Sequence, residues 1–241
     1  MDPEATLDRV DADGAIRETA HDAAEALESG DTRLDFLKKA GLAGGAVVGG
    51  GALLGSLTPA AAMAASGKGR PPAKFGKGDI GILNFALTLE YLEAAFYNEA
   101  TANQRKSSFI KDKQTQVFLK TVTADENAHV AYLRKALGSK AVGAPKADFG
   151  GTTSQEAAFV KTAVALENTG VHAYSGQALN IKTPATVGAA LSILTVEARH
   201  ASVIGLIAKN SRKGISPDGA FDTPFTAGEV LKAVEATGFL K

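Results

Sequence analysis

Two short phrases, Glu126-Asn-Ala-His129 and Glu197-Ala-Arg-His200, each set a carboxylate and an imidazole three residues apart. On a helix, positions i and i+3 share one face, so each phrase delivers two ligands toward a single ion. Nine Glu and three His in residues 65–241 give roughly 0.15 such matches by chance, so two are informative. Glu90 and Glu167 extend the pattern. Each sits on an apolar stripe, and the run Phe85-Ala-Leu-Thr-Leu-Glu90-Tyr-Leu92 lies in a stretch with no basic residue between Lys77 and Arg105. An unpaired buried carboxylate costs several kcal/mol, so four acids on core-facing stripes need a shared counter-charge. Two divalent ions would supply it, and oxygen plus imidazole donors suit iron or manganese better than copper or calcium. The chain has no Cys, which excludes thiolate metal sites, disulfides and a Cys nucleophile.

Four helices must position these six residues. From Asp79 onward apolar residues recur at three and four spacings. The first segment, about 79–102, carries Leu83, Leu87, Glu90, Ala94 and Tyr97 on one stripe. The second, about 113–137, carries Leu119, Val122, Glu126, His129 and Leu133 and stops at Gly138. The third opens at a Thr152–Glu156 cap region and carries Ala157, Val160, Val164, Glu167, Val171, Tyr174 and Ala178. The fourth begins near Thr183 with Pro184 in its first turn and carries Val187, Leu191, Leu194, Glu197, His200, Ile204 and Ile207. Leu89-Glu90 with Tyr97 is echoed by Leu166-Glu167 with Tyr174, and each Glu precedes a Glu-x-x-His, so the chain reads as two copies of one hairpin. The join around 138–151 is long enough to cross the end of a bundle. The expected fold is all-α: four helices with one long crossover over 79–210, then a loop and a short capped helix (Thr226 to Thr237) within 211–241. That last helix would cover one end of the bundle or a neighbouring subunit, which leaves a homo-oligomer open.

Ahead of the bundle the zero net charge of the 241 residues conceals three segments. Residues 1–31 carry ten acids against Arg9 and Arg17 and read as a solvated acidic leader. Residues 32–64 join Arg33, Lys38 and Lys39 to a Gly- and Ala-rich run (40–57) and a small-residue site ending at Ala64, the layout of an export signal. It resembles a twin-arginine translocation signal, with Leu34 where the second arginine would stand. Cleavage after Ala64 is the expectation. An uncleaved membrane anchor is the alternative, and seven Gly in the run argue against it. Residues 65–78 read as a linker, and 65–241 carry 21 bases against 15 acids. No sequence feature indicates a nucleic-acid partner.

Over about 79–210 the chain resembles the ferritin-like superfamily, in which one Glu from each of two helices and a Glu-x-x-His from each of the other two hold a dinuclear centre. The phrase Leu83-Asn-Phe-Ala-Leu-Thr-Leu-Glu-Tyr-Leu-Glu-Ala-Ala-Phe-Tyr97, behind an export signal, is similar to the exported ferritin-like proteins related to desiccation-associated proteins. The resemblance implies Glu90, Glu126, His129, Glu167, Glu197 and His200 as ligands of two iron ions, or of manganese, with Glu126 and Glu197 bridging. It further implies iron oxidation, or reduction of O2 or peroxide, outside the cytoplasm. A manganese catalase-like activity and a non-catalytic envelope protein are the alternatives.

Neighbouring residues carry weaker expectations. Glu93, one turn from Glu90, is an extra ligand, a partner of a ligating His, or a solvated acid. Tyr97 and Tyr174 lie on the site stripes, where a hydrogen bond to a ligand carboxylate competes with plain packing. His172 is rotated away from the stripe and reads as a surface or supporting histidine, and Arg199 reads as outward-facing. Gly170, mid-helix, indicates a close contact or a bulge.

Overall fold

The computed structural model describes residues 69–209 and 211–241, so the acidic leader and the export segment fall outside it. Long helices span Gly78–Ser107 (α1), Lys113–Leu137 (α2), Glu156–Ala178 (α3) and Pro184–Lys209 (α4), followed by Arg212–Ile215 (α5) and Ala227–Ala236 (α6). The fold is the expected all-α bundle. Among the described residues the extended structure is one isolated antiparallel bridge, Ala147 to Leu240.

The helix ends follow from local chemistry. Asp112 caps α2 by accepting from the Thr115 backbone N–H (2.7 Å), and Gly138 closes it with φ 56°. α1 runs five residues beyond its expected end at Ala102, to a left-handed Ser108. There Gln104 both accepts from the Ile110 N–H and donates to the Ile110 carbonyl, so its side chain holds the turn. The expected cap of α3 is not formed. Gln155 stands at the N-cap without a side-chain bond, because Thr153 instead donates to Glu99 and Glu156 accepts from the Lys111 and Asp112 N–H groups. α6 carries the full capping box expected of Thr226 and Glu229.

Two apolar clusters lie on either side of the middle of the bundle. One gathers Phe96, Tyr97, Phe118, Phe159, Leu166 and Ile204; the other gathers Leu87, Leu133, Leu137, Tyr174, Ala190 and Ile193. Late residues of α1 therefore meet early residues of α2 and α3 and late residues of α4, so α2 and α3 run parallel. A parallel pair requires a crossover the length of the bundle. The chain makes it along α1: the Asn84 side chain holds Lys140 and Val142, Phe96 packs on Phe149 (5.5 Å), and Asn103 holds Thr153.

Asn84 is buried, and its amide satisfies three backbone groups, donating to the Phe75 and Lys140 carbonyls and accepting from the Val142 N–H at 2.9–3.0 Å. Leucine there would orphan all three. Asn84→Leu is expected to lower stability by roughly 2–4 kcal/mol, checked by urea denaturation; a loss below about 0.5 kcal/mol contradicts this role.

Four expectations about packing need correction. Leu191 is 44% exposed and Ala157 is also exposed, and the buried stripes run through Ile193 in α4 and Phe159 in α3. Both helices carry small residues on several sides, so periodicity leaves their rotation ambiguous by about one residue. The described part of the linker, from Gly69, is packed, with Phe75 edge-on to Phe85 at 5.5 Å and Arg70 donating to the Asn180 carbonyl. The C-terminal arm lies along the side of the bundle and not over its end. Phe225 bonds the His172 carbonyl over Gly176, where a Cβ would meet the Phe225 carbonyl oxygen at 1.8 Å, and Phe239 packs on Phe149.

Candidate metal centre

Between the apolar clusters, every helix turns its site residues to one point. Glu90 comes from α1, Glu126 and His129 from α2, Glu167 from α3, and Glu197 and His200 from α4; all six are buried. His129 Nδ1 lies 3.2 Å from Glu90 Oε2, 3.2 Å from Glu126 Oε2 and 3.1 Å from Glu197 Oε1. His200 Nδ1 lies 3.1 Å from Glu126 Oε1 and 3.3 Å from Glu167 Oε2. The ring centroids are 6.4 Å apart.

These atoms form two groups able to hold a metal ion: Glu90, Glu126, His129 and Glu197, and Glu126, Glu167, Glu197 and His200. Glu126 and Glu197 belong to both. Five of the converging buried atoms, Glu126 Oε1, Glu167 Oε2, both Glu197 oxygens and His200 Nδ1, make no well-directed hydrogen bond: the imidazole–carboxylate approaches of 3.1–3.3 Å are poorly angled, and Glu197 Oε2 has no such approach. Native interiors rarely leave such atoms orphaned, and five together fit a cation.

The electrostatics make the same point. Burial, reinforced by the Glu126 charge, raises the Glu90 carboxyl, and burial with the neighbouring carboxylates raises Glu197. Burial also raises Glu167. Burial disfavours charge on both imidazoles, yet the surrounding carboxylates outweigh it and raise both rings. Glu126 moves the other way, because the two imidazoles outweigh its burial. Without a metal, the cluster must supply its own positive charge from protons.

Supporting groups fix the ligands. Tyr97 donates to Glu167 Oε1 and Tyr174 donates to Glu90 Oε1, so both make the hydrogen bond to a site carboxylate and not packing contacts alone. Burial and the adjacent carboxylates raise both phenols, so they stay neutral donors. Each hairpin's tyrosine thus holds the other hairpin's glutamate. Glu93 belongs to neither metal-holding group, and its 3% exposure excludes the solvated reading. Gly170 explains itself as a close contact within a continuous helix: a Cβ there would lie 2.9 Å from Glu197 Oε2 and 3.5 Å from Glu93 Oε1. The structure keeps His172 out of the centre, against Asp218 (3.2 Å) and the Phe225 ring (4.3 Å), and Arg199 is exposed.

Asp125 is the residue that sequence reasoning missed. Its Oδ2 lies 3.1 Å from His200 Nε2, so it fixes that nitrogen as the proton carrier and turns Nδ1 toward the carboxylates. Periodicity cannot find it, since it sits one position off the Glu126 stripe and its partner is on another helix. Asp125→Asn is expected to weaken metal binding about 10–100-fold with the fold intact. Competition with a chromophoric chelator measures it, and unchanged affinity contradicts the role.

A family model described as ferritin-like domain matches residues 78–210, a span that holds all four long helices and all six converging Glu and His residues. No curated protein matches the chain. With more than half its length matched, and a bundle that gathers four carboxylates and two imidazoles, the chain belongs to the ferritin-like domain family.

Proposed function

We propose that the protein is an exported ferritin-like protein of the desiccation-related type whose dinuclear centre oxidises Fe(II) or reduces O2 or peroxide as protection against oxidative stress. The observation that supports it most directly is the pair of four-residue groups sharing Glu126 and Glu197, the arrangement two carboxylate-bridged ions require. Bound iron, or manganese in its place, supplies the electron exchange with the oxidant. The chain supplies the rest. Glu90, Glu126, His129, Glu167, Glu197 and His200 hold the ions; Tyr97 and Tyr174 hold two of those carboxylates; the apolar clusters exclude water on both sides.

Glu197 is the carboxylate that would change its binding mode most readily, because unlike Glu90 and Glu167 it is not held by a tyrosine, and Gly170 sets no Cβ against its Oε2. Glu93, buried beside it, is placed to hold a proton during such a change. Residues 1–31 serve as leader, 32–64 as a twin-arginine-like export signal cleaved after Ala64, and 65–78 as the approach to the bundle. A purely structural role is less well supported, since apolar side chains would fill these six buried positions without orphaned charge.

The test is metal content and turnover on protein from iron- or manganese-supplemented cells. About two ions per chain, together with O2 or peroxide consumption on adding Fe(II), is the expected result. A folded chain that takes up neither metal overturns the reading, and stoichiometric metal without turnover favours the structural role.

A further inference from the structure

Between α2 and α4 a groove of 690 Å3 runs to the outer edge of His200. Asp125, Arg199 and His200 line one end and Lys113 the other, and the twelve residues of α2 between Lys113 and Asp125 span roughly 18 Å at 1.5 Å each. Along that length Val117, Val203 and Leu206 are 67%, 48% and 41% exposed. Scattered apolar residues on a surface mean little, but these line one continuous trough. The same feature accounts for the composition of α4, the helix among the described residues that is long and apolar enough to cross a membrane. Its inner face carries Glu197 and His200, so part of its hydrophobicity lies on the groove side.

We propose that this groove binds one long-chain carboxylate, its head at Lys113 and its chain laid along Val117, Val203 and Leu206 toward His200. The volume falls within the roughly 300–1,000 Å3 of small-molecule sites, and the length is that of an extended long acyl chain. Charge sets the direction. At the far end Asp125, 3.1 Å from His200 Nε2, offsets the charge of Arg199, whereas Lys113 is the one charged side chain lining its own end and attracts an anionic head. The chain end then abuts the Asp125–His200 pair, separated from the metal-holding atoms by the imidazole ring. The site goes beyond the proposed metal chemistry and stands or falls without it.

Calorimetric titration of the full chain with palmitate, octanoate and hexadecanol, in metal-free and metal-loaded forms, tests the assignment. One palmitate per chain is expected, with octanoate far weaker, since each methylene withdrawn from water favours binding roughly fourfold. Val203→Asp should weaken palmitate by at least about tenfold, because a charge then faces the chain. Lys113→Gln should weaken palmitate up to about fivefold and leave hexadecanol unchanged. Both positions are exposed, and unchanged helicity and metal content confirm intact variants. Failure of palmitate to saturate, or equal binding by Val203→Asp, overturns the proposal. So does a wild-type dimer that Val203→Asp dissociates and palmitate does not, which would assign the groove to a second copy. Equal losses of palmitate and hexadecanol in Lys113→Gln overturn the placement of the head.

Discussion

Glu126→Ala is expected to empty the centre, whereas His129→Ala and His200→Ala are each expected to empty about half of it. The contrast follows from membership: Glu126 contributes to both metal-holding groups, His129 to one and His200 to the other. Metal content per chain should therefore fall from about two to near zero in Glu126→Ala and toward one in each histidine variant. Loss of Glu126 also removes the carboxylate that both Nδ1 atoms approach, at 3.2 and 3.1 Å, leaving two buried imidazoles with weaker compensation. Breaking such a buried pair costs roughly 3–5 kcal/mol, so the metal-free variant should also melt lower than the wild type. Mass spectrometry of the metal and circular dichroism of the fold separate the two effects. Wild-type metal content in a folded Glu126→Ala would contradict the shared-ligand arrangement, and so would complete loss in either histidine variant.

The second large effect is on pH. In the chelated protein, Glu90 is raised to about 8 from 4.5, and His129 and His200 are raised to about 12 and 11 from 6.5. A group raised on folding contributes stability that is complete below its unfolded value and disappears as pH climbs through its folded value. For Glu90 that window runs from about pH 4.5 to 8, and for the histidines it opens at about 6.5 and extends past 10. Glu126, lowered to about 2, acts oppositely and withdraws stability only as pH falls below about 4.5. Metal-free protein should therefore be most stable near pH 5 and lose stability on going to pH 8. A loss of about 2 kcal/mol, well under what the full shifts would give, lowers the melting midpoint by roughly 4–8 °C in a domain of this size.

Metal reverses the trend, because binding displaces the protons whose loss is destabilising. The gap between loaded and chelated midpoints should widen steadily from pH 5 to 8, read by differential scanning calorimetry at both states. A chelated midpoint that rises across this interval would show that the ionised carboxylates are compensated by something other than protons.

Much of the centre is legible along the chain because its converging Glu and His residues obey helix geometry. Glu126 and His129 share a stripe with Leu119, Val122 and Leu133, all buried as expected, and α2 begins and ends at Lys113 and Leu137 as the cap and Gly138 require. An acid on an apolar stripe is a local contradiction, and four of them leave few chemical resolutions. The Glu–Tyr repeat likewise put both tyrosines on the site stripes, and the structure decides for a hydrogen bond to a carboxylate over plain packing.

Other features belong to no single helix. Asp125 lies one position, or about 100°, off the ligand stripe, and it matters only because α4 brings His200 within 3.1 Å, 75 residues later. Gly170 looks like a weak helix position until Glu197 is set beside it. The rotation of α3 and α4 was ambiguous because alanines and glycines blur the edge between apolar and polar faces; packing chose Phe159 and Ile193 over Val160 and Leu191. The sequence by itself determined the helical class, the crossover connection and the four carboxylates and two imidazoles that converge in the bundle, since each is fixed by residue type and spacing over a few turns. Only the tertiary structure decided which tyrosine holds which carboxylate, and that α2 and α4 part into an apolar groove beside His200, because each depends on distances between separate helices.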